Sequence, residues 1–280
     1  MHQTQIQANF SKAAKDYSAH AKVQQEIGRR LMQRFDYYKL KPERALDLGA
    51  GTGYFSQQLK KRFNQCQVVA FDLSESMLKK IKKGILKPVS RVKGCMTRLP
   101  FKTNSYDVIF ANQVIHWHAD YLTLFKEIAR VLKPSGVFVF STLGPDTFIE
   151  LKQAWAEVDQ YQHAYSFVDM HLLGDALLKA GMAEPVVDME YLTARYQEIK
   201  TLARDLKAQG VQHNTSRARQ GLTTPSQWSA FSNAYDKYRD EDGLLPLSYE
   251  VIYGQAWGQA LQQSLSANGE VVVPIAQLKK

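Results

Sequence analysis

Two cysteines in a chain of 280 residues, Cys66 and Cys95, are too few for a disulfide framework or a thiolate metal cluster. Long apolar runs are missing too, so the sequence predicts no bilayer-spanning helix. Residues 1–22 are polar and mixed in charge, without the apolar core and small-residue cleavage site of a secretory signal. No internal repeat or low-complexity tract occurs, and no long basic tail that would suggest a disordered nucleic-acid arm. These absences favour the cytoplasm. What is present is ordinary for a globular protein: 45% hydrophobic residues and 22% charged. The net charge of +9 fits a nucleic acid, an anionic membrane or an acidic protein as partner, or solubility alone.

Periodicity organises the chain. Residues 7–35 carry Ala13, Ala14, Tyr17, Val23, Ile27 and Leu31 at helical spacing, up to Pro42. Strand and helix then alternate: strand 44–49, helix 54–63, strand 67–72, helix 74–83 with Ser74 as N-cap, strand 91–93 and strand 106–111. A helix at 121–132, a turn at 133–136 and a strand at 137–141 follow. That order predicts a doubly wound α/β fold, a mostly parallel seven-stranded sheet with helices on both faces. Helices are expected at 147–158 and 170–180, and strands at 186–196 and 247–257. The polar helical stretch 197–240 reads as an insertion before the last strand. Four regions result: an N-terminal helical lid (1–40), the α/β core (41–196), the insertion on the substrate side (197–243), and the last strand with a tail (244–280).

The segment Asp47-Leu48-Gly49-Ala50-Gly51-Thr52-Gly53 follows a strand and opens a helix. Its glycines allow a tight turn and close approach of a ligand. Asp72 ends the next strand, where an acidic residue accepts from ribose hydroxyls. A dinucleotide site would use Gly-x-Gly-x-x-Gly and set a pyrophosphate on the helix N-terminus. Here the spacing is Gly-x-Gly-x-Gly, and Asp47 suits a cationic ligand instead. The segment resembles motif I of class I S-adenosylmethionine-dependent methyltransferases. That resemblance implies that Gly49, Ala50, Gly51 and Gly53 surround the methionine part of the cofactor. Asp47 would orient its amino group, Asp72 would hold the ribose, and Leu73 and Met77 would pack on adenine. Leu99-Pro100-Phe101, Tyr106-Asp107-Val108-Ile109 and Val131-Leu132-Lys133-Pro134-Ser135-Gly136 follow the order of the later motifs. One departure stands out. The resemblance implies that many relatives carry an Asp that accepts from the adenine amino group where this chain has Cys95, and a thiol is a weak acceptor. Adenine recognition is then expected from the backbone around Met96 and Thr97 and from apolar contact, with Asn112 completing the cofactor set.

The substrate is not dictated by the fold. No Asn/Asp-Pro-Pro-aromatic run follows the fourth strand, which reads Ala111-Asn112-Gln113-Val114-Ile115-His116-Trp117, and no Pro-Cys nucleophile is present. No nucleic-acid partner is therefore expected. Phe10-Ser11-Lys12-Ala13-Ala14 with Tyr17 and His20, Ser141-Thr142-Leu143-Gly144-Pro145-Asp146-Thr147, Leu206-Lys207 and the run from Leu245 to Trp257 point elsewhere. In these segments the chain resembles the malonyl-acyl carrier protein O-methyltransferases of biotin synthesis, over nearly its whole length. His116 departs from the family, where Gln is expected before the Trp.

The resemblance implies methylation of a malonyl carboxylate carried on the phosphopantetheine of acyl carrier protein. A carboxylate with a pKa near ~4 is already ionised, so no general base is expected, only alignment and exclusion of water. An Arg suits carboxylate recognition, with Arg195, Arg204, Arg217 and Arg219 as candidates. Tyr17 belongs either to a lid over the methyl donor or to the core. Trp117 and His116 lie where the acceptor is expected, as substrate contacts or as packing. Lys200, Arg204 and Lys207 could guide an acidic carrier protein. A monomer without membrane or metal partners is expected. Methylation of a quinone precursor or another small carboxylic acid is the alternative.

Overall fold

A computed structural model describes residues 21–81, 88–208 and 223–258. Five strands run parallel: β1 (Arg44–Leu48), β2 (Gln67–Asp72), β3 (Ser90–Lys93), β4 (Tyr106–Asn112) and β5 (Leu132–Leu143). The last two, β6 (Ala183–Tyr196) and β7 (Leu245–Trp257), pair antiparallel with each other, and β7 is also antiparallel to β5. The sheet order is β3-β2-β1-β4-β5-β7-β6. The chain therefore reverses direction across the sheet between β1 and β4, where open α/β sheets form their ligand crevice. Among the described residues no helix is long and apolar enough to cross a membrane.

Alternation along the central strands makes both faces of the sheet apolar. Val108 and Phe110 of β4 pack to one side with Val137 and Val139 of β5. There they meet α1 (Lys22–Gln33), α2 (Tyr54–Arg62), α5 (Ile149–Ala156) and α8 (Pro225–Asp236) through Leu31, Leu59, Trp155 and Phe231. Ile109, Ala111, Phe138 and Phe140 face the other way. They meet Phe125 of α4 (Tyr121–Val131) and Leu173 and Leu177 of α6 (Met170–Lys179). Burial on both faces explains why these strands read as continuous apolar runs. Each fully buried aliphatic or phenylalanine side chain contributes about 1.5–3 kcal/mol.

The elements depart from the sequence pattern in three places. The expected helix 74–83 is a single turn, α3 (Glu75–Leu78), in which Ser74 does cap, its hydroxyl accepting from Met77 N–H at 3.4 Å. The turn expected at 133–136 lies inside β5. Leu132 is already extended and pairs with Tyr106, and pairing resumes at Val137 with Val108, so the intervening residues loop out as a bulge. The helix expected from residue 7 is described only from Lys22, and after Gln33 it tightens into a 3-10 turn, Arg34–Tyr37. Between β6 and β7 lie α7 (Ile199–Ala208) and α8.

The segments Ser141–Thr147 and Leu245–Trp257 are partners in space. Ser141, Thr142 and Leu143 pair with Tyr253, Ile252 and Val251. Beyond the strand, the buried Glu250 accepts from Asp146 N–H at 2.6 Å through its carboxylate, and from Gly144 N–H at 2.8 Å through its backbone carbonyl. A Cβ at Gly144 would sit 2.3 Å from the Glu250 carboxylate carbon, so glycine there permits the contact.

Candidate active site

The cleft opens at the carboxyl ends of β1, β2 and β4. After β1 the chain turns sharply, and Gly49 and Ala50 both donate backbone N–H to the Phe71 carbonyl, at 2.8 and 3.0 Å. Gly49 and Gly51 adopt φ of 76° and 52°, which L side chains rarely accept. A Cβ on Gly49 would also lie 2.4 Å from Val114, whereas Gly51 faces open space. Gly53 does not line the cleft; it starts α2 as its N-cap.

Asp72 ties the loop down. One carboxylate oxygen accepts from Gly51 N–H at 2.8 Å and the other from Ser74 N–H at 2.7 Å. Burial pushes its pKa upward, and these amide donors oppose the shift. Asp47, only 2% exposed, accepts from the Ser56 hydroxyl at 2.5 Å. Burial pushes its pKa up to about 7; the Ser56 bond opposes this and the Asp72 charge adds to it.

Leu73, Met77, Cys95 and Met96 line the apolar half of the cleft, and Asp47, Gly49, Ala50, Gly51 and Asn112 line the polar half. Two carboxylates and no Lys or Arg line it, among the described residues. That donor set fits a cation with ribose hydroxyls and disfavours a pyrophosphate. Thr97 is set back from the cleft, with its hydroxyl 3.0 Å from the Cys95 sulfur. Asn112 joins the elements around it: its amide donates to the Gln24 carbonyl of α1 at 3.0 Å, and its oxygen accepts from Ser141 Oγ at 2.7 Å. Ala21, Gln24 and Gln25 thereby line the polar half of the cleft beside Asp47 and Gly49.

The expected acceptor residues divide. Trp117 lines the cleft and meets Tyr165 edge-on, with ring centroids 5.4 Å apart. His116, next in the same 3-10 turn (Ile115–Trp117), does not line it. Its Nδ1 lies 3.3 Å from the Thr142 hydroxyl, its ring meets Phe167 edge-on, and desolvation pushes its pKa down to about 3. A neutral imidazole held there is a spacer and a hydrogen-bonding group. Arg195 is not brought to the cleft. It sits exposed on β6, with ion pairs to Asp240 at 3.3 Å and Asp242 at 3.2 Å. Tyr17, Arg217 and Arg219 lie outside the described residues.

Comparison with known proteins narrows the reading. The methyltransferase-domain family matches residues 46–140, which span β1 to β5. The malonyl-[acyl-carrier protein] O-methyltransferase of Legionella pneumophila is 42% identical over 278 residues, covering 99% of this chain and 98% of its own. That of Gallionella capsiferriformans is 41% identical, covering 90% and 89%. The chain belongs to the malonyl-[acyl-carrier protein] O-methyltransferase family. Solved structures agree on the fold. YcgJ of Bacillus subtilis superposes with a TM-score of 0.57 at 16% identity, covering 82% of this chain and 98% of that one. The Haemonchus contortus phosphoethanolamine N-methyltransferase 2, solved with S-adenosyl-L-methionine, gives 0.51 at 18% identity over 83% and 52%.

Several lining residues of this family member escaped sequence reasoning. Gln24 and Gln25 are ordinary polar positions on an amphipathic helix, and nothing in the sequence aims them at the cleft. Val114 becomes visible only through its contact with the Gly49 turn. Gln113 carried one usable signal, its place directly after the end of β4, where it takes the strained φ of 56°. His118 carried none.

Proposed function

We propose that the protein transfers the methyl group of S-adenosylmethionine to the free carboxylate of malonyl-acyl carrier protein. The malonyl methyl ester so formed starts pimeloyl assembly for biotin. Family membership over nearly the whole chain supports this reading. The observation that carries it is the cleft lined, among the described residues, by the buried Asp47 and the half-buried Asp72 and by no Lys or Arg. S-Adenosylmethionine supplies a methyl group made electrophilic by its sulfonium. Asp47, Gly49, Ala50 and Gly51 hold the methionine end, and Asp72 holds the ribose. Leu73, Met77 and Met96 exclude water around adenine. Thr97, set behind Cys95, supports that wall through its hydroxyl. Asn112 holds α1 in place over the donor, and Trp117 faces the acceptor.

The malonate is ionised at neutral pH, so no residue need remove a proton; orientation of the two reactants lowers the barrier by up to roughly 7–11 kcal/mol. In this reading residues 1–40 are assigned to a lid and residues 197–243 to the carrier side, and Tyr17, which lies outside the described residues, is assigned either to that lid or to the core. Arg204, Arg217 and Arg219 remain the candidates for the malonyl carboxylate, because Arg195 is engaged by two aspartates. The enzyme is taken to act as a cytoplasmic monomer.

Lys200, Arg204 and Lys207 are all exposed on α7, at a spacing that sets them on one helical face. An acidic carrier protein docking there predicts that turnover with malonyl-carrier falls about tenfold between low salt and about 0.5 M salt. A small malonyl thioester should lose far less. Equal losses with both substrates would remove α7 as the docking face.

The function itself is tested by incubating the protein with S-adenosylmethionine and malonyl-acyl carrier protein, then weighing the product by mass spectrometry. One added methyl on the malonyl arm, absent with acetyl-carrier, is the expected result. Binding of S-adenosylhomocysteine without a malonyl ester would leave the methyl donor in place and move the acceptor to a quinone precursor or another small acid.

A further inference from the structure

The cleft has a recognition problem that its sequence does not solve. An exocyclic amine buried in an apolar pocket needs an acceptor, because an unmatched polar group there is costly. The wall around Leu73, Met77 and Met96 offers apolar surface, and Cys95 brings only a thiol, a weak acceptor. In the same cleft stands His118, immediately after the 3-10 turn that carries Trp117. Its backbone is fixed, with N–H donating to the Ile115 carbonyl at 3.0 Å. Both ring nitrogens are buried, and among the described residues neither has a hydrogen-bond partner. Desolvation lowers the imidazole pKa, the charge of Asp120 opposing, so the ring presents one donor and one acceptor nitrogen.

We propose that His118 supplies the acceptor for the adenine 6-amino group that Cys95 does not provide, so that this chain reads its cofactor from the β4 side of the cleft. The inference rests on the assignment of S-adenosylmethionine to this cleft. A side chain at position 95 approaches the cleft from the loop after β3. His118 follows β4, which lies on the other side of β1 in the sheet. An imidazole is a weaker acceptor than a carboxylate but adds no further negative charge to a cleft that already holds Asp47 and Asp72, whose burial opposes ionisation.

The test measures dissociation constants by calorimetry for S-adenosylhomocysteine and for its 6-desamino analogue, in which hydrogen replaces the exocyclic amine. The wild-type protein should bind the amino form about tenfold more tightly, the loss expected when one buried acceptor is left unpaired. In His118→Phe that preference should fall to within about twofold, and in His118→Gln, which keeps an acceptor oxygen, most of it should remain. Adding Cys95→Asp to His118→Phe should restore it by placing a carboxylate on the loop after β3. Circular dichroism checks that each variant is folded; if His118→Phe is not, loss of the preference in His118→Ala stands in its place. An undiminished preference in the folded variant lacking the imidazole overturns the assignment to His118. No binding of S-adenosylhomocysteine by the wild-type protein would instead overturn the cofactor reading, and this inference with it.

Discussion

Asp72→Ala is expected to weaken binding of S-adenosylhomocysteine by roughly 100-fold or more, since hydrogen bonds to a charged group contribute about 1.5–3 kcal/mol each. Two losses combine. The ribose loses its acceptor, and the Gly51 and Ser74 amides lose the carboxylate that holds the loop in its turn. The second loss matters because Gly51 has a positive φ and open space around it, so little else restrains that peptide. Asp72→Asn retains one acceptor oxygen and should fall between the two. Calorimetric titration checks the series, with methyl transfer measured alongside. A variant in which the affinity is unchanged would remove Asp72 from the ribose site.

Asp47→Asn should move stability and binding in opposite directions. The folded protein holds this carboxyl at a pKa of about 7, against 3.8 for the free group. Between those values the folded chain keeps a proton that the unfolded chain has released. The sign follows: this group's contribution lowers stability as pH rises through that window, and the loss is complete above it. At about pH 8 the wild-type protein without cofactor therefore carries a buried, poorly solvated carboxylate whose ionisation costs on the order of a few kcal/mol. Asparagine keeps an acceptor for the Ser56 hydroxyl and removes the charge. Its melting temperature without cofactor should exceed that of the wild type by several degrees at about pH 8, with the gap closing toward about pH 4. Affinity for the cationic cofactor should drop about tenfold or more at the same alkaline pH, because the counter-charge is gone. Melting curves across pH, with and without S-adenosylmethionine, read both effects. A less stable variant at pH 8 would show that the charge is well solvated and sink the argument.

Much of the cofactor half was legible in the linear chain. Asp47, Gly49, Ala50, Gly51 and Asp72 announce themselves because a strand, a glycine turn and a helix must follow one another locally, and the second carboxylate sits at the end of the next strand. The sheet was legible for a related reason. Strands buried on both faces, such as 106–111 and 137–141, leave continuous apolar runs that helices interrupt at regular intervals. Boundaries were read less well. The bulge in β5 reads as a turn in the sequence because Pro134 and Gly136 punctuate both structures, and only the pairing of Leu132 with Tyr106 distinguishes them.

The acceptor half depended on tertiary structure. Nothing in the spacing of His116 and Trp117 says that one ring lines the cleft while its neighbour turns to Thr142 and Phe167. Arg195 looked available until Asp240 and Asp242, more than forty residues away in sequence, came to rest beside it. By itself the sequence determined the fold class, the glycine turn and its two aspartates, because these follow from local periodicity and short-range geometry. The tertiary structure decided which carboxylates are buried enough to resist ionisation, which Arg is already paired, and that His118, unpartnered among the described residues, lines the same cleft as Cys95. Burial, charge pairing and hydrogen-bond satisfaction are properties of groups brought together from distant elements, and no single segment of the chain carries them.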